Sequence, residues 1–258
     1  MSKKIQITFL GTGTSQGVPT IACHCSVCTS EDEKDKRLRS SVLIEVDDKQ
    51  ILIDAGPDFR QQMLRNKQQR IDAVLLTHEH VDHMYGLDDI RAFNKVQQSA
   101  VHIYAENRVL EALKQVYSYV FAPVRFGGLP EMELHEIEHK PFEIEGVKII
   151  PIRGLHYMLP VFGYRIGNFA YLTDMNTISE EEKQKLHGLD VLVLGAVHKK
   201  PHISHLNLEQ ALQLIEELKP RQAYLTHISH HMGLHAEEDA LLPANVHLAY
   251  DELVVRSE

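Results

Sequence analysis

Short apolar stretches rich in β-branched residues recur along the chain, separated by amphipathic ones. Ile5–Leu10, Ser41–Val46, Gln50–Asp54, Ala73–Thr77 and Val101–Tyr104 predict strands. So do Val147–Ile152, Phe162–Ile166, Ala170–Thr173, Val191–Leu194 and Gln222–Thr226. Asp47-Asp48-Lys49 between two of them predicts a hairpin turn. Pro57–Asn66 opens on a proline suited to a first helical turn. Ser179 and Glu182 read as a capping box ahead of Lys183–Leu186. Asn207–Leu218 places Leu208, Ala211, Leu212 and Ile215 at helical spacing and stops before Pro220. Strands alternating with helices, hairpins among them, predict a layered α/β fold with mixed sheets.

With 258 residues and no low-complexity linker, the chain is expected to form a single domain over 1–258. Lys and Arg number 27 against 36 Asp and Glu, a net charge of −9. A field of that sign argues against nucleic acid or an anionic membrane as partner. No apolar run approaches the ~20 residues that cross a bilayer, and Ile5–Leu10 is too short for a signal sequence, so a cytoplasmic location is expected. The charge run Glu31–Arg39 is expected to be a solvated loop or short helix. Seventeen histidines stand against no tryptophan. Histidine is the commonest metal ligand and the neutral-pH acid or base.

The densest chemistry is His78-Glu79-His80-Val81-Asp82-His83, directly after the apolar Ala73-Val74-Leu75-Leu76. In extended backbone His78 and His80 face the same side. Asp82 and His83 can then face that space from the start of a helix. Imidazole and carboxylate together suit first-row transition metals, zinc above all. His156, Asp174 and His227 each follow another apolar strand, where loops at one sheet edge converge. Seven candidate ligands exceed one four-coordinate zinc and suit two metals about 3.5–4 Å apart.

The H-x-H-x-D-H pattern after a strand resembles the metallo-β-lactamase superfamily of dinuclear hydrolases. The likeness runs from Phe9-Leu10-Gly11-Thr12-Gly13 to Thr226-His227. It implies a four-layer αββα sandwich of two mixed sheets. It also implies that His78, His80 and His156 hold one metal, that Asp82, His83 and His227 hold the other, and that Asp174 bridges them. The metals expected are zinc or manganese, with iron or nickel compatible with the same donors. His80 stands where the di-iron oxygen-reducing branch carries Glu, which favours the hydrolases.

Cys23, Cys25 and Cys28 form a C-x-C-x₂-C knuckle near residues 22–30. Three thiolates make a metal clip lacking its fourth ligand, with His24, His230 and His231 as candidates. The knuckle resembles an insertion in the branch of cyclic phosphodiesterases that act on phosphoribosyl cyclic phosphate. That resemblance implies a structural zinc completed by His230, with His231 the competing ligand. It also gives His205, just before the Asn207–Leu218 helix, the place of a proton donor to the leaving alkoxide. His198 and His202 are weaker candidates for phosphate or sugar contacts.

The expected activity is hydrolysis of a small, cyclic ribose-type phosphodiester, with His205 and Asp82 as catalytic residues. The alternatives are tRNA 3′-processing and glyoxalase-type thioester hydrolysis, the latter having no need of His205. A scaffold or redox sensor on the cysteines has no need of the seven ligands. A homodimer suits the branch, though no interface is legible. Gly11 and Gly13 lack the Lys-Ser/Thr of a phosphate-binding P-loop and predict either a tight turn or a close approach to the metals. Arg91 is expected to meet a phosphate or to pair with Asp88. The aromatic stretch Val116–Phe126 is expected to pack in the core, to wall the active site or to form a dimer contact.

Overall fold

The computed structural model describes residues 4–123 and 127–257. The first strands are β1 (Ile5–Gly11), β2 (Ser41–Val46), β3 (Lys49–Ile53), β4 (Ala73–Leu75), β5 (Val101–Ala105) and β6 (Met132–Glu136). There follow β7 (Phe142–Ile144), β8 (Val147–His156), β9 (Leu159–Ile166), β10 (Phe169–Leu172), β11 (Thr177–Ile178) and β12 (Val191–Gly195). The last are β13 (Gln222–Thr226), β14 (Val246–Leu248) and β15 (Val254–Ser257). One sheet runs β15-β1-β2-β3-β4-β5-β6, and the other runs β11-β8-β9-β10-β12-β13-β14 with β7 paired to β8. Each is antiparallel at one end and parallel at the other, from β3 to β6 and from β10 to β14.

Both faces of each sheet are covered, which is why the strands read as nearly unbroken apolar runs. Ile7, Phe9, Val42 and Ile44 meet Ile149, Phe162, Tyr171 and Val193 between the sheets. The helices are α1 (Phe59–Arg65), α2 (Val81–Met84), α3 (Arg91–Gln97), α4 (Asn107–Val116), α5 (Glu180–Gln184), α6 (Leu208–Leu218) and α7 (His235–Asp239). Phe59, Met63, Phe93, Val109 and Leu113 cover the outside of the first sheet. Ala211, Ile215 and Leu218 of α6 cover Leu192 and Leu194 of the second. The result is the four-layer αββα arrangement with two mixed sheets. Among the described residues no helix is long and apolar enough to cross a membrane.

Local chemistry explains most boundaries. Asp47 and Asp48 both take positive φ (47° and 61°), the left-handed pair that a two-residue hairpin turn needs. Asn207 caps α6 with a full capping box, its side chain accepting from Gln210 N at 2.9 Å and Gln210 returning to its own N–H at 3.0 Å. Ser179 caps α5, but the expected box is half made. Glu182 turns away and accepts from Arg153 N at 2.7 Å, tying α5 to β8. β8 also runs four residues past its predicted end, pairing with β9 as far as His156 opposite Leu159. Gly154 lets it continue: a Cβ there would lie 2.4 Å from the Met175 sulfur.

The charged run is not a solvated loop throughout. A 3₁₀ turn at Glu33–Asp35 buries Asp35, and Arg37 is buried just beyond it. Arg37 donates to Thr12 Oγ1 at 2.9 Å and to the Ala249 carbonyl, and its Nη2 lies 3.1 Å from His235 Nδ1. Tyr117 packs in the helix-side core and donates to the Met84 carbonyl at 2.9 Å, whereas Tyr119 is exposed. Phe126 lies outside the described residues. Arg91 pairs with Asp88.

Candidate metal centre

The strands deliver the candidate ligands to one edge. His78 follows β4, His156 ends β8, Asp174 follows β10 and His227 follows β13. Tyr164 of the facing sheet donates to the Leu76 carbonyl at 2.6 Å, and Phe162 N donates to the Thr77 carbonyl at 3.1 Å, fixing the start of the histidine motif. Asp174 and His227 leave their strands in left-handed backbone, φ 52° and 58°. So does Asp54 after β3, at 63°. Such a conformation costs an L-residue on the order of 1 kcal/mol, and Asp, Asn and His bear it best. The turn swings each side chain over the sheet edge.

Accounting for every hydrogen bond fixes the histidine tautomers. His83 Nδ1 donates to Asp54 at 2.7 Å. Thr77 Oγ1 gives its proton to Asp54 at 2.9 Å, so at 3.0 Å it accepts from His78 Nδ1. Ser40 Oγ donates to the Gly13 carbonyl, so at 3.2 Å it accepts from His227 Nδ1. His156 Nδ1 donates to the Ser204 carbonyl at 2.9 Å. In all four rings Nδ1 carries the hydrogen, and Nε2 is left with a lone pair for the centre.

Two of those lone pairs, on the buried Nε2 of His78 and of His83, have no hydrogen-bond partner among the described residues. His83 Nε2 lies 3.1 Å from Asp82 Oδ2 and 3.2 Å from Asp174 Oδ2, and His227 Nε2 lies 3.2 Å from Asp174 Oδ1. A lone pair facing carboxylate oxygens is repulsive unless a positive charge lies between them. The charges around His83 make the same demand. Burial opposes its charge, but Asp82, Asp174 and Asp54 outweigh burial and raise it well above the usual histidine value. A proton there does the work that suits a divalent cation, so the residues present fit a metal.

Two sets of donor atoms converge around Asp174: His78 with His83 and Asp174, and His156 with Asp174 and His205. Asp82, His83 and His227 form a third set. The rings of His78, His80 and His156 pack at 4.5, 5.7 and 5.2 Å, though the His80 donor atom falls in none of these sets. His205 sits at the rim, its Nδ1 3.5 Å from Asp174 Oδ1, its ring stacked on His227 at 5.0 Å and 4.5 Å from His156. Burial and then His227 push His205 down to about 3. His202 lies 4.9 Å from His205, and His198 5.6 Å from His202.

The three cysteines converge on His230, whose Nδ1 lies 3.3 Å from Cys23 Sγ and 3.4 Å from Cys25 and Cys28 Sγ. His24 and His231 are exposed and stand outside this set. The Gly-rich loop approaches backbone rather than the centre. A Cβ on Gly11 would lie 2.0 Å from the Arg39 carbonyl, and Gly13 is bridged to both Arg39 and Ile228. The loop thus fixes the segment carrying His227 and His230. Asp54, Ser40, Thr77 and Ser204 were not foreseen. Asp54 alone left a trace, as an acid ending an apolar strand like Asp174.

A beta-lactamase superfamily domain profile matches residues 49–228. A Porphyromonas gingivalis protein named octanoyltransferase is 44% identical over 247 residues, 95% of this chain. The chain spans about half the length of that relative, 50%. A solved structure described as a new diphosphatase from the PhnP family is 41% identical with TM-score 0.93, covering 100% of this chain and 98% of its own. Zinc-bound PqqB from Methylobacterium extorquens, at 20% identity and TM-score 0.79 over 97% of this chain and 99% of its own, shares the fold. This chain therefore belongs to the β-lactamase superfamily and has the metallo-β-lactamase fold.

Proposed function

We propose that this chain hydrolyses a small, cyclic ribose-type phosphodiester at a centre of two divalent metals. In this reading His78, His80 and His156 would hold one metal, Asp82, His83 and His227 would hold the other, and Asp174 would serve both. A structural zinc belongs to Cys23, Cys25, Cys28 and His230. When bound, the pair supplies Lewis-acid stabilisation of phosphoryl charge and an activated water at neutral pH. Asp54, Thr77, Ser40 and Ser204 keep the Nε2 lone pairs aimed inward. His205 gives a proton to the departing sugar oxygen, a contribution of about 10²–10⁴ in rate. The Asp174 carboxylate, 3.5 Å from His205 Nδ1, is the neighbouring group that favours a proton on this ring.

The observation that carries the reading is the place of His205, half-enclosed beside Asp174 and His227. Asn176 Nδ2 donates to the Ile203 carbonyl at 2.8 Å and His156 to that of Ser204, so its loop is anchored at the site. A cleft of about 640 Å³ opens alongside, lined by His80, His156, Tyr157, Met158, Leu159, Ile203 and Ser204. It suits a nucleoside-sized group, and the net charge of −9 disfavours long RNA. A second reading, cleavage of a diphosphate, is favoured by the 41% identical relative described as a diphosphatase.

The test is hydrolysis of a 2′,3′-cyclic nucleotide, bis(p-nitrophenyl) phosphate and a dinucleoside diphosphate by Mn²⁺-loaded wild type and His205→Ala. The first leaving group is an alkoxide that needs a proton; the other two leave without one. The expected result is a loss of about 10²-fold or more in kcat on the cyclic nucleotide and a much smaller loss on the nitrophenyl ester. Equal losses on both remove His205 as proton donor. Turnover of the diphosphate alone selects the second reading.

A further inference from the structure

The outer edge of the first sheet carries a donor set that the proposed reaction does not use. β5 and β6 pair in parallel with His102 opposite Glu133 and Tyr104 opposite His135. The two-residue spacing puts all four side chains on one face. Val101, Ile103 and Ala105 point the other way, into the helix-side core. His102 Nδ1 lies 2.9 Å from His135 Nε2 and 3.6 Å from Glu133 Oε2. His135 Nε2 lies 3.6 Å from Glu133 Oε1. His102 is opposite Ala73, the first residue of β4, whereas the histidine motif follows the last. His135 is level with Leu75 but two strands away, so the two donor sets are separated across the sheet and share no residue.

We infer that His102, Glu133 and His135 form a separate surface site for a first-row divalent cation of the zinc class, with a fourth position open to water. Two imidazole nitrogens and a carboxylate oxygen are the donors such a cation prefers over Mg²⁺ or Ca²⁺. Ligand bonds of about 2.0–2.2 Å in a tetrahedron set neighbouring ligand atoms about 3.3–3.5 Å apart. The two ring nitrogens are 2.9 Å apart, and each lies 3.6 Å from a different oxygen of the Glu133 carboxylate, so these separations bracket that spacing and a small turn of the carboxylate brings one oxygen to both. The frame is stiff. Strand register holds His102 against Glu133, and Tyr104 stacks on the His135 ring at 4.4 Å and 14°. Tyr104 is itself packed on the inter-sheet core and stacked on Phe142 at 5.8 Å. A hydrogen bond between the imidazoles accounts for the short nitrogen–nitrogen distance only. It leaves the approach of the Glu133 carboxylate to both rings unexplained, and a cation at this site joins β6, the edge strand, to its neighbour.

The test starts from protein whose buried histidine and cysteine sets are already saturated with zinc. Further Zn²⁺ is titrated in competition with a chromophoric chelator. One additional equivalent is expected in the wild type. It is lost in His102→Ala and His135→Ala and weakened at least tenfold in Glu133→Gln, with phosphodiester turnover unchanged in all three. No additional equivalent in the wild type overturns the site. So does an equivalent that survives the histidine substitutions, or one that Glu133→Gln leaves at full strength. Because Glu133 is exposed, its variant folds and keeps the test decisive if a histidine variant does not.

Discussion

Asp54→Asn isolates the support of the centre from the centre itself. Asp54 touches no candidate Nε2, yet its carboxylate accepts from His83 Nδ1 at 2.7 Å, Thr77 N at 2.9 Å and Thr77 Oγ1. An asparagine offers one oxygen to three donors, and its amide hydrogens face at least one of them. The hydrogen bond lost at His83 is charge-assisted, worth about 1.5–3 kcal/mol. Desolvation of Asp54, which raises its pKa, works in the opposite direction and masks the loss in total stability. The measurement must therefore be a difference. Unfolding of metal-loaded and metal-free protein gives the stabilisation due to metal in each variant. The gap is expected to shrink by about 1.4–2.7 kcal/mol, the equivalent of a 10–100-fold weaker metal affinity. Chelator competition should report the same factor. A gap unchanged in Asp54→Asn would refute the role given to Asp54 in aiming His83.

Three further outcomes are expected. Gly56→Ala should destabilise by about 3 kcal/mol or more in urea unfolding, because the new Cβ would lie 2.0 Å from the Asp82 carbonyl; a loss under about 1 kcal/mol would contradict that packing. In chelator-treated protein, iodoacetamide should modify Cys25 first, with half-maximal rate near pH 6. The Cys28 N–H and then His230 pull its thiol down to about 6, whereas burial pushes Cys28 up to about 11. Equal rates at the two cysteines, read by peptide mass spectrometry, count against this. His235 is held neutral by burial and then by Arg37, its pKa lowered from 6.5 to about 4. Its contribution to stability is complete above pH 6.5 and is lost as pH falls toward 4, about 2 kcal/mol by pH 5. His235→Gln should flatten the pH 7 to pH 5 slope by that amount, and an unchanged slope assigns the effect elsewhere.

The centre was legible in sequence because its ligands are chemically distinctive and stand at the ends of apolar strands. His78 to His83, His156, Asp174 and His227 all share that position. The residues that aim them were not legible. Ser40 and Thr77 are ordinary hydroxyls until the fold brings a particular Nδ1 within 3.2 Å. Arg37 and Asp35 looked solvated because polarity alone does not reveal a buried network spanning positions 12 to 249. Glu182 had the spacing of a capping box, and a backbone N–H of another strand competed for it. The short strands β7, β11, β14 and β15 carry too few residues for a period to register. Their pairing depends on the sheets already being in place.

The segment from Thr226 to His230 carries one donor for each of two metal sets, three residues apart. Ile228 between them is bonded to the Gly-rich loop on both sides, its N–H to Thr12 O at 2.9 Å and its carbonyl to Thr14 N at 3.1 Å. Whatever orders His230 also orders His227. Were each set to hold a metal, any coupling carried by this segment would be reciprocal, each site changing the affinity of the other by the same factor. The thiolates are the oxidisable partner in that exchange. With such coupling, an oxidant that reached only Cys23, Cys25 and Cys28 would be felt at His227 without altering any candidate ligand of the histidine cluster.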